Sequence, residues 1–226
     1  MTPLAVLRPE PGNAATAALV EAAGLPAIRL PLFVVRALDW TAPDPAGFDA
    51  LLLTSANAVR FGGSGLDTLR HLPVLAVGAK TAEAARLAGF DVMASGTSDA
   101  AALLALAEAR DVSRALHLAG RDRTVEAGGT VAQVIPVYAS EVQSIGRAAL
   151  GRLAGSIALL HSARAARRLG ALLAERDLPR SAIGIAAISA AVAAAAGTGW
   201  TMTTVATEPS DPALIAAAIE AMRARD

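Results

Sequence analysis

Short runs of apolar residues alternate along this chain with longer alanine-rich stretches, and glycine or proline stands at many of the junctions. An apolar run bounded by turn residues is typical of a buried strand, and an alanine-rich stretch ending at a glycine is typical of a helix. Strands alternating with helices indicate the α/β class, with parallel sheets covered on both faces. The pattern predicts strands at 4–7, 25–30, 48–54, 74–77, 115–119, 131–138, 157–160 and 183–188. It predicts helices at 12–23, 80–87 and 100–109, from about Ser55, and after Ser210, with Ser98 and Ser210 as N-caps.

One uncharged segment, 181–207, is long enough to span a bilayer. Much of it is alanine, which transfers into lipid weakly compared with leucine, and Gly197 and Gly199 interrupt it. We therefore expect a strand, an alanine-rich helix, a glycine stop and another strand of a globular protein.

The chain also carries an internal repeat. The aligned pairs are 51–60 with 158–167, 76–82 with 187–193, and 98–99 with 210–211, at offsets of 107, 111 and 112 positions. In the first pair six of ten residues are identical. Alanine inflates any single match, but three matches in the same order with a slowly growing offset indicate a duplicated α/β unit.

The repeated segments are turns between a strand and a helix, and two similar units would form a cleft. In open parallel sheets such turns lie at the carboxyl ends of the strands, where ligands bind. The free N–H groups of a helix N-terminus favour an anion. The turns at 54–57, 78–81, 161–164 and 189–190 are small and largely polar, so together they predict a polyanionic ligand.

Composition narrows the classes of function. Among 226 residues there are 20 basic and 20 acidic side chains, so no basic excess favours general nucleic-acid binding. The sequence has no cysteine, which excludes disulfides, thiolate nucleophiles and Cys-ligated metals. The first residues lack the basic head and apolar stretch of a signal peptide. We expect a cytoplasmic monomer that has neither a membrane nor a nucleic acid as a partner.

Several short motifs together resemble the uroporphyrinogen-III synthase family. They are Leu7-Arg8-Pro9, Leu30-Pro31-Leu32, Phe48-Asp49, Thr54-Ser55-Ala56-Asn57-Ala58-Val59-Arg60, Val77-Gly78-Ala79-Lys80-Thr81-Ala82, Gly120-Arg121 and Val137-Tyr138. The resemblance covers essentially the whole chain. It implies two similar α/β lobes, each a parallel sheet flanked by helices, joined by two connector strands. One lobe would be discontinuous, 1–33 plus 143–226, the other would be 37–135, and the connectors would be 34–36 and 136–142.

The resemblance also implies an activity. The family's substrate is hydroxymethylbilane, a linear tetrapyrrole with eight carboxylates, which loses water and closes to a macrocycle with its last pyrrole ring inverted. This step of heme biosynthesis needs no metal or organic cofactor. The enzyme would be a cofactor-free lyase that works mainly by positioning its substrate.

Tyr138, the only tyrosine, is the catalytic candidate that the resemblance implies, because its phenol would hydrogen-bond the leaving hydroxyl. A purely structural role in packing stays open. The candidate substrate-binding residues are Arg8, Ser55, Ala56, Gly78, Thr81, Arg121, Ser162 and Ser189. The hydroxyl residues among them would serve equally well in helix capping, and the arginines would look the same if they were merely solvated. We expect His71, His117 and His161, which have no metal-ligand spacing, to be solvated or at strand ends.

One departure keeps other functions open. Family members often carry Gly-Pro-x-Thr where this chain has Ser189-Ala190-Ala191-Val192, so a threonine contact at Val192 is lost. The alternative is a two-lobe binding or sensor protein for a small anionic ligand, without turnover. A nucleotide-dependent α/β enzyme is a third hypothesis, which the lack of a phosphate-binding glycine loop disfavours.

Overall fold

The computed structural model describes residues 1–96 and 100–224, which form two sheets flanked by helices. The strands are β1 (Leu4–Val6), β2 (Ala27–Arg29), β3 (Phe33–Ala37), β4 (Ala50–Leu53), β5 (Val74–Val77), β6 (Val92–Gly96), β7 (Ala115–Gly120), β8 (Val131–Val142), β9 (Ile157–Leu160), β10 (Gly184–Ala187) and β11 (Thr203–Val205). The α-helices are α1 (Gly12–Ala22), α2 (Ala56–Phe61), α3 (Ala79–Leu87), α4 (Ala100–Glu108), α5 (Arg147–Gly151), α6 (Ala163–Glu175), α7 (Ala190–Ala196) and α8 (Asp211–Arg223). Short 3₁₀ helices cover Pro45–Gly47, Gly63–Leu69 and Arg180–Ala182.

The chain divides into two compact units. The first unit comprises Met1–Val34 and Val142–Asp226, and the second unit comprises Val35–Glu141. The chain passes from one unit to the other within β3 and again within β8.

The first unit is built on a five-stranded sheet in the order β11-β10-β9-β1-β2, with every neighbouring pair parallel. All residues of β1, β9 and β10 are buried, because helices cover both faces of the sheet. Side chains alternate between the faces: Leu160 packs with Leu169 of α6, and Leu159 packs with Leu214 of α8.

The second unit is built on a six-stranded sheet in the order β3-β8-β7-β4-β5-β6. The pairs β8/β7, β7/β4, β4/β5 and β5/β6 are parallel. The same alternation recurs in β4, where Leu53 belongs to a core with Ala85 of α3 and Leu52 to a core with Leu103 of α4. The carboxyl ends of β4, β5 and β7 therefore form one edge of this unit.

The predicted α/β class is confirmed, with parallel sheets that carry helices. The sequence pattern missed β6 and α5, which are short or lack an uninterrupted apolar run. β3 lies where the resemblance implies the first connector strand, 34–36. β6 is an edge strand whose side chains alternate between partly buried and exposed, so its sequence carries a weak strand signal. The predicted N-cap at Ser98 lies outside the described residues.

The uncharged segment 181–207 is folded into the first unit, as predicted. It contributes β10, α7 and β11, and α7 ends at Gly197, which has a positive φ of 71°. Within the described part of the chain, no helix has the length and apolar character needed to cross a bilayer.

Candidate active site

The second unit contains a cavity of about 290 Å³ where β4, β5 and β7 end. Ligands of open parallel sheets bind at this edge, because the turns that leave the strands there expose backbone and polar side-chain groups. Its wall includes Thr54, Ser55, His117, Gly120, Arg123 and Tyr138.

Tyr138 reaches this cavity from β8. A Cβ atom at Gly120 would lie only 2.9 Å from two ring carbons of Tyr138 and 3.0 Å from its hydroxyl, so glycine at that position makes room for the phenol. The ring also packs in a tilted arrangement against Phe61, with centroids 6.5 Å apart. The backbone N–H of Arg121 donates to the Tyr138 carbonyl at 2.8 Å. These contacts give the ring a defined position in the wall of the cavity.

His117 lies beneath the cavity in β7 and is only 1 % exposed. Its Nε2 is 3.2 Å from the hydroxyl of Thr54, the residue that follows β4. Burial, and secondarily the positive charge of Arg123, lower the pKa of His117 to about 4, against a smaller opposite effect of Glu126. The imidazole is therefore neutral at neutral pH. The expectation that His117 is solvated or at a strand end is wrong, because it lies inside a strand that is buried along its whole length.

Of the predicted binding residues in the second unit, Ser55 is the one that lines the cavity. Its hydroxyl caps α2 by accepting from the N–H of Asn57 at 3.2 Å. Ala56 is buried in the first turn of α2. Gly78 precedes α3 with a φ of 75°, a conformation that favours glycine, and Thr81 is buried one residue further into the helix than Lys80. Ala56 follows β4, and Gly78 and Thr81 follow β5, but none of these three residues forms part of the cavity wall.

Two arginines follow β7. Arg121 is exposed and approaches Glu141 at 3.8 Å, a surface ion pair that exchanges readily for another carboxylate. Arg123 lines the cavity, donates to the Arg121 carbonyl at 3.3 Å and pairs with Glu126 at 2.9 Å. Arg123 was not among the residues selected from the sequence for substrate binding.

In the first unit, Arg8 is held by a carboxylate of the chain itself. Its Nη1 lies 3.1 Å from both carboxylate oxygens of Asp211, at the start of α8. His161, which follows β9, brings Nε2 to 2.8 Å from the same carboxylate. The hydrogen bond with His161 lowers the pKa of Asp211, burial opposes this, and the charge of Arg8 lowers it further. This cluster joins the carboxyl ends of β1 and β9 to α8.

Ser162 and Ser189 cap helices of the first unit. Ser162 accepts from the N–H of Ala165 at 3.1 Å at the start of α6, and Ser189 accepts from Val192 at 3.4 Å at the start of α7. Val192 itself is buried in the apolar core around α6, so its side chain is used in packing.

The sequence reasoning missed Thr54, His117 and Arg123 as members of one cavity. One signal was present: a central strand with apolar neighbours on both sides buries every residue in it, including a histidine. The position of Arg123 in the same cavity wall as this histidine depends on the path of the chain after β7, which no local pattern reveals. No group of three or more metal-ligating side chains occurs in residues 1–96 and 100–224.

The chain has two α/β units built on parallel sheets, a polar cavity at the carboxyl ends of the strands, and polar caps on its helices. These features are typical of proteins that act on small polar ligands. A family model described as uroporphyrinogen-III synthase HemD matches residues 14–216. The chain therefore belongs to the uroporphyrinogen-III synthase family, as its motifs predicted. Enzymes of this family act in tetrapyrrole biosynthesis as cofactor-free lyases that cyclise hydroxymethylbilane.

Solved structures of the same family share the fold. The chain is similar to uroporphyrinogen-III synthetase from Helicobacter pylori, with 17% identity, 98% of this chain and 100% of that chain covered, and a TM-score of 0.67. It is also similar to a mutant uroporphyrinogen III synthase from Thermus thermophilus, with 18% identity, 99% of this chain and 100% of that chain covered, and a TM-score of 0.54. A comparison with curated proteins gave no match.

Proposed function

We propose that this chain closes hydroxymethylbilane to uroporphyrinogen III, and that Tyr138 is its catalytic residue. The family supports the reaction, and one observation supports the role: the only tyrosine of the sequence lines the cavity at the carboxyl ends of the strands.

The reaction requires no covalent bond between the protein and the substrate. The C–O bond of the hydroxymethyl group breaks, the oxygen takes a proton from the solvent and leaves as water, and the carbon left behind is an azafulvenium cation stabilised by the pyrrole nitrogen. The substituted carbon of the last ring then attacks that cation, and the bond from this carbon to its original methylene bridge breaks. The freed methylene bonds to the unsubstituted carbon of the same ring, which loses its proton to the solvent, so the ring is inverted and the macrocycle is closed. The Tyr138 O–H donates a hydrogen bond to the departing oxygen and stabilises the charge that develops on it. Holding the chain of rings in the reactive fold supplies the rest.

The acid arms of the substrate are bound by the polar turns. Ser55, Ala56, Gly78 and Thr81 supply backbone N–H groups and hydroxyls in the second unit, and Ser162 and Ser189 do so in the first. Arg121 exchanges its surface contact with Glu141 for a substrate carboxylate. Arg8 belongs to the same set, although it shares its guanidinium with Asp211.

The test is the isomer of the product. Purified protein is mixed with enzymatically generated hydroxymethylbilane, and the oxidised products are separated by chromatography. The type III isomer supports the proposal. The type I isomer alone, which forms without catalysis, contradicts it. If the ligand then binds without turnover, the alternative of an anion-binding protein gains support, in line with the buried valine at position 192.

We also propose that the chain acts as a monomer in the cytoplasm, with neither nucleic acid nor a membrane as a partner. The zero formal net charge argues against general binding of nucleic acid, and the lack of cysteine fits a reducing compartment. Sedimentation equilibrium over a range of concentrations tests the monomer, and a mass that rises with concentration contradicts it.

A further inference from the structure

Two buried nitrogen atoms at the cavity of the second unit are unpaired. Nδ1 of His117 and Nε of Arg123 have no hydrogen-bond partner among the described residues, although both side chains line the same cavity. Buried polar atoms are nearly always hydrogen-bonded, so each exception calls for an explanation. Nδ1 of His161 and Nε of Arg168 are unpaired too, but their side chains do not line this cavity. A ligand in the cavity is one way to satisfy the nitrogens of His117 and Arg123, whose side chains belong to the same wall.

One free atom is a donor by its chemistry, and we assign the other as a donor by choosing the tautomer of His117. Nε of arginine always carries a proton. In His117, Nε2 lies against the Thr54 hydroxyl, and we assign the hydroxyl as donor and Nε2 as acceptor. The proton of the neutral imidazole is then on Nδ1. Both unpaired atoms are N–H groups, and a carboxylate, with its two acceptor oxygens, satisfies both.

The size of the cavity limits what enters it. Its volume of about 290 Å³ lies at the lower end of the range for small-molecule sites. It fits one ring with its acid arms and is too small for a whole tetrapyrrole. Tyr138 lines the same cavity, so a ring anchored here would lie beside the phenol.

We propose that the N–H groups of His117 and Arg123 together bind one carboxylate of the substrate and thereby position a single pyrrole ring next to Tyr138. His117 is a positioning residue, and Thr54 fixes its tautomer. This inference rests on the proposed function for the identity of the substrate, but the binding of a carboxylate at this place is testable without turnover.

The first experiment observes His117 directly. The full-length protein is labelled with ¹⁵N-histidine, and the ring nitrogens are followed by NMR. The sequence contains three histidines, so His71→Gln and His161→Gln variants assign the signals, and the exposed His71 is an internal reference. Without ligand, we expect the Nδ1–H tautomer. We expect saturating uroporphyrin, an oxidised relative of the product, to shift the Nδ1 signal of His117 and leave His71 unchanged.

Binding must also change the titration of His117. The charged or titratable groups around it are Asp122, Arg123 and Glu126 on the segment after β7, and Tyr138 on β8. A bound carboxylate adds a negative charge that stabilises the imidazolium, so the pKa of His117 rises with uroporphyrin present. An unchanged His117 signal and pKa, in a sample whose other resonances show that uroporphyrin has bound, would overturn the inference. It would leave the proposed function intact.

The second experiment is kinetic. Arg123→Lys keeps the positive charge but removes the Nε donor, and we expect KM to rise about tenfold, with a smaller change in kcat. Arg70→Lys is the matched control, because Arg70 likewise pairs with an acid three residues away and with a backbone carbonyl, but away from the cavity. Equal effects of the two substitutions on KM would refute a carboxylate site at Arg123.

Variants of His117 separate binding from packing. His117→Leu removes the donor, and His117→Asn places an amide N–H near the position of Nδ1, so we expect Asn to restore part of the affinity that Leu loses. Where His117→Leu prevents folding, the comparison of the Arg123 and Arg70 variants carries the test.

A substrate analogue with methyl groups in place of its acetates shows which kind of carboxylate occupies the site. If an acetate occupies it, Arg123→Lys changes the KM of the analogue much less than the KM of the normal substrate. If wild-type protein makes no type III isomer, the proposed function fails, whereas the NMR result still decides whether a carboxylate binds here.

Discussion

At the scale of single residues, the candidate site contains side chains that already have partners within the fold and side chains that carry an unpaired polar atom. Asp211 pairs with Arg8 and with Nε2 of His161, and Ser55, Ser162 and Ser189 cap helix N-termini. Tyr138, His117 and Arg123 line a cavity, and Nδ1 of His117 and Nε of Arg123 have no hydrogen-bond partner among the described residues. Residue type alone does not separate the groups: Arg8 and Arg123 both follow central strands, and the partner of Arg8 lies 203 positions away.

Tyr138→Phe removes the hydroxyl and keeps the ring. We expect kcat to fall about tenfold, the range of one hydrogen bond to a developing charge, while the product stays type III because positioning is preserved. A single-turnover assay of hydroxymethylbilane consumption measures the change. The control is Phe61→Leu, which alters the packing against the tyrosine ring without removing its hydroxyl. Wild-type kcat in Tyr138→Phe would exclude the phenol from the mechanism.

Asp211 makes the stability of the first unit depend on pH. Its folded-state pKa lies below the ordinary value of 3.8, so the stabilisation is present above that value and is lost as the pH falls through the folded pKa. Asp211→Asn should therefore lower the melting temperature at neutral pH, and the difference from wild type should shrink below about pH 4. Thermal unfolding followed by circular dichroism across this range measures it. Glu220→Gln, exposed on the same helix, is the control, and a difference that does not depend on pH would contradict the account.

At the scale of elements, the central strands were the most predictable, and the edge strand β6 was missed. β4, β7, β9 and β10 are buried on both faces, and their apolar runs are evident in the sequence. β6 and β11 lie at sheet edges and mix exposed with partly buried residues, so their period is weak. The helix starts at Ser55, Ser162, Ser189 and Ser210 follow from the N-cap preference for serine. Capping alone does not show whether such a serine also binds substrate.

Ser162→Gly distinguishes the two roles. Glycine caps a helix nearly as well as serine, so stability should fall by only a few tenths of a kcal/mol. If the hydroxyl also binds a substrate carboxylate, KM should rise severalfold. Ser210→Gly is the matched control, because Ser210 caps α8 in the same way, accepting from Ala213 at 3.2 Å. If KM stays at the wild-type value in both variants while stability changes equally, Ser162 has a capping role alone.

At the scale of the whole molecule, the repeat read from the sequence corresponds to the topology of the two sheets. The repeated strand is β9 in the first sheet and β4 in the second. On one side of it lie β10 and β11 in the first sheet, and β5 and β6 in the second. On the other side lie β1 and β2 in the first sheet, and β7 and β8 in the second. β3 extends the second sheet beyond that common order. The aligned pairs 51–60 with 158–167 and 76–82 with 187–193 fall on equivalent strands and helices, which is what a duplicated unit predicts. The third pair includes Ser98 and Asp99, outside the described residues.

A formal net charge of zero bears on how such a molecule recognises a polyanion. Because the chain as a whole does not attract anions over long distances, attraction must come from individual arginines near the binding groups. Wild-type KM should therefore rise with salt, since ions screen exposed charges.

Arg8→Ala combined with Arg121→Ala should raise KM and make KM less sensitive to salt. The control is Arg86→Ala combined with Arg110→Ala, which removes the same amount of charge from exposed positions and should change neither KM nor its salt dependence. Steady-state kinetics in increasing potassium chloride measure both pairs. If the two double variants shift KM equally, overall charge governs binding and the carboxylates are bound elsewhere. If only the first pair responds, recognition is local, and a neutral chain can bind a substrate with eight negative charges without binding other polyanions.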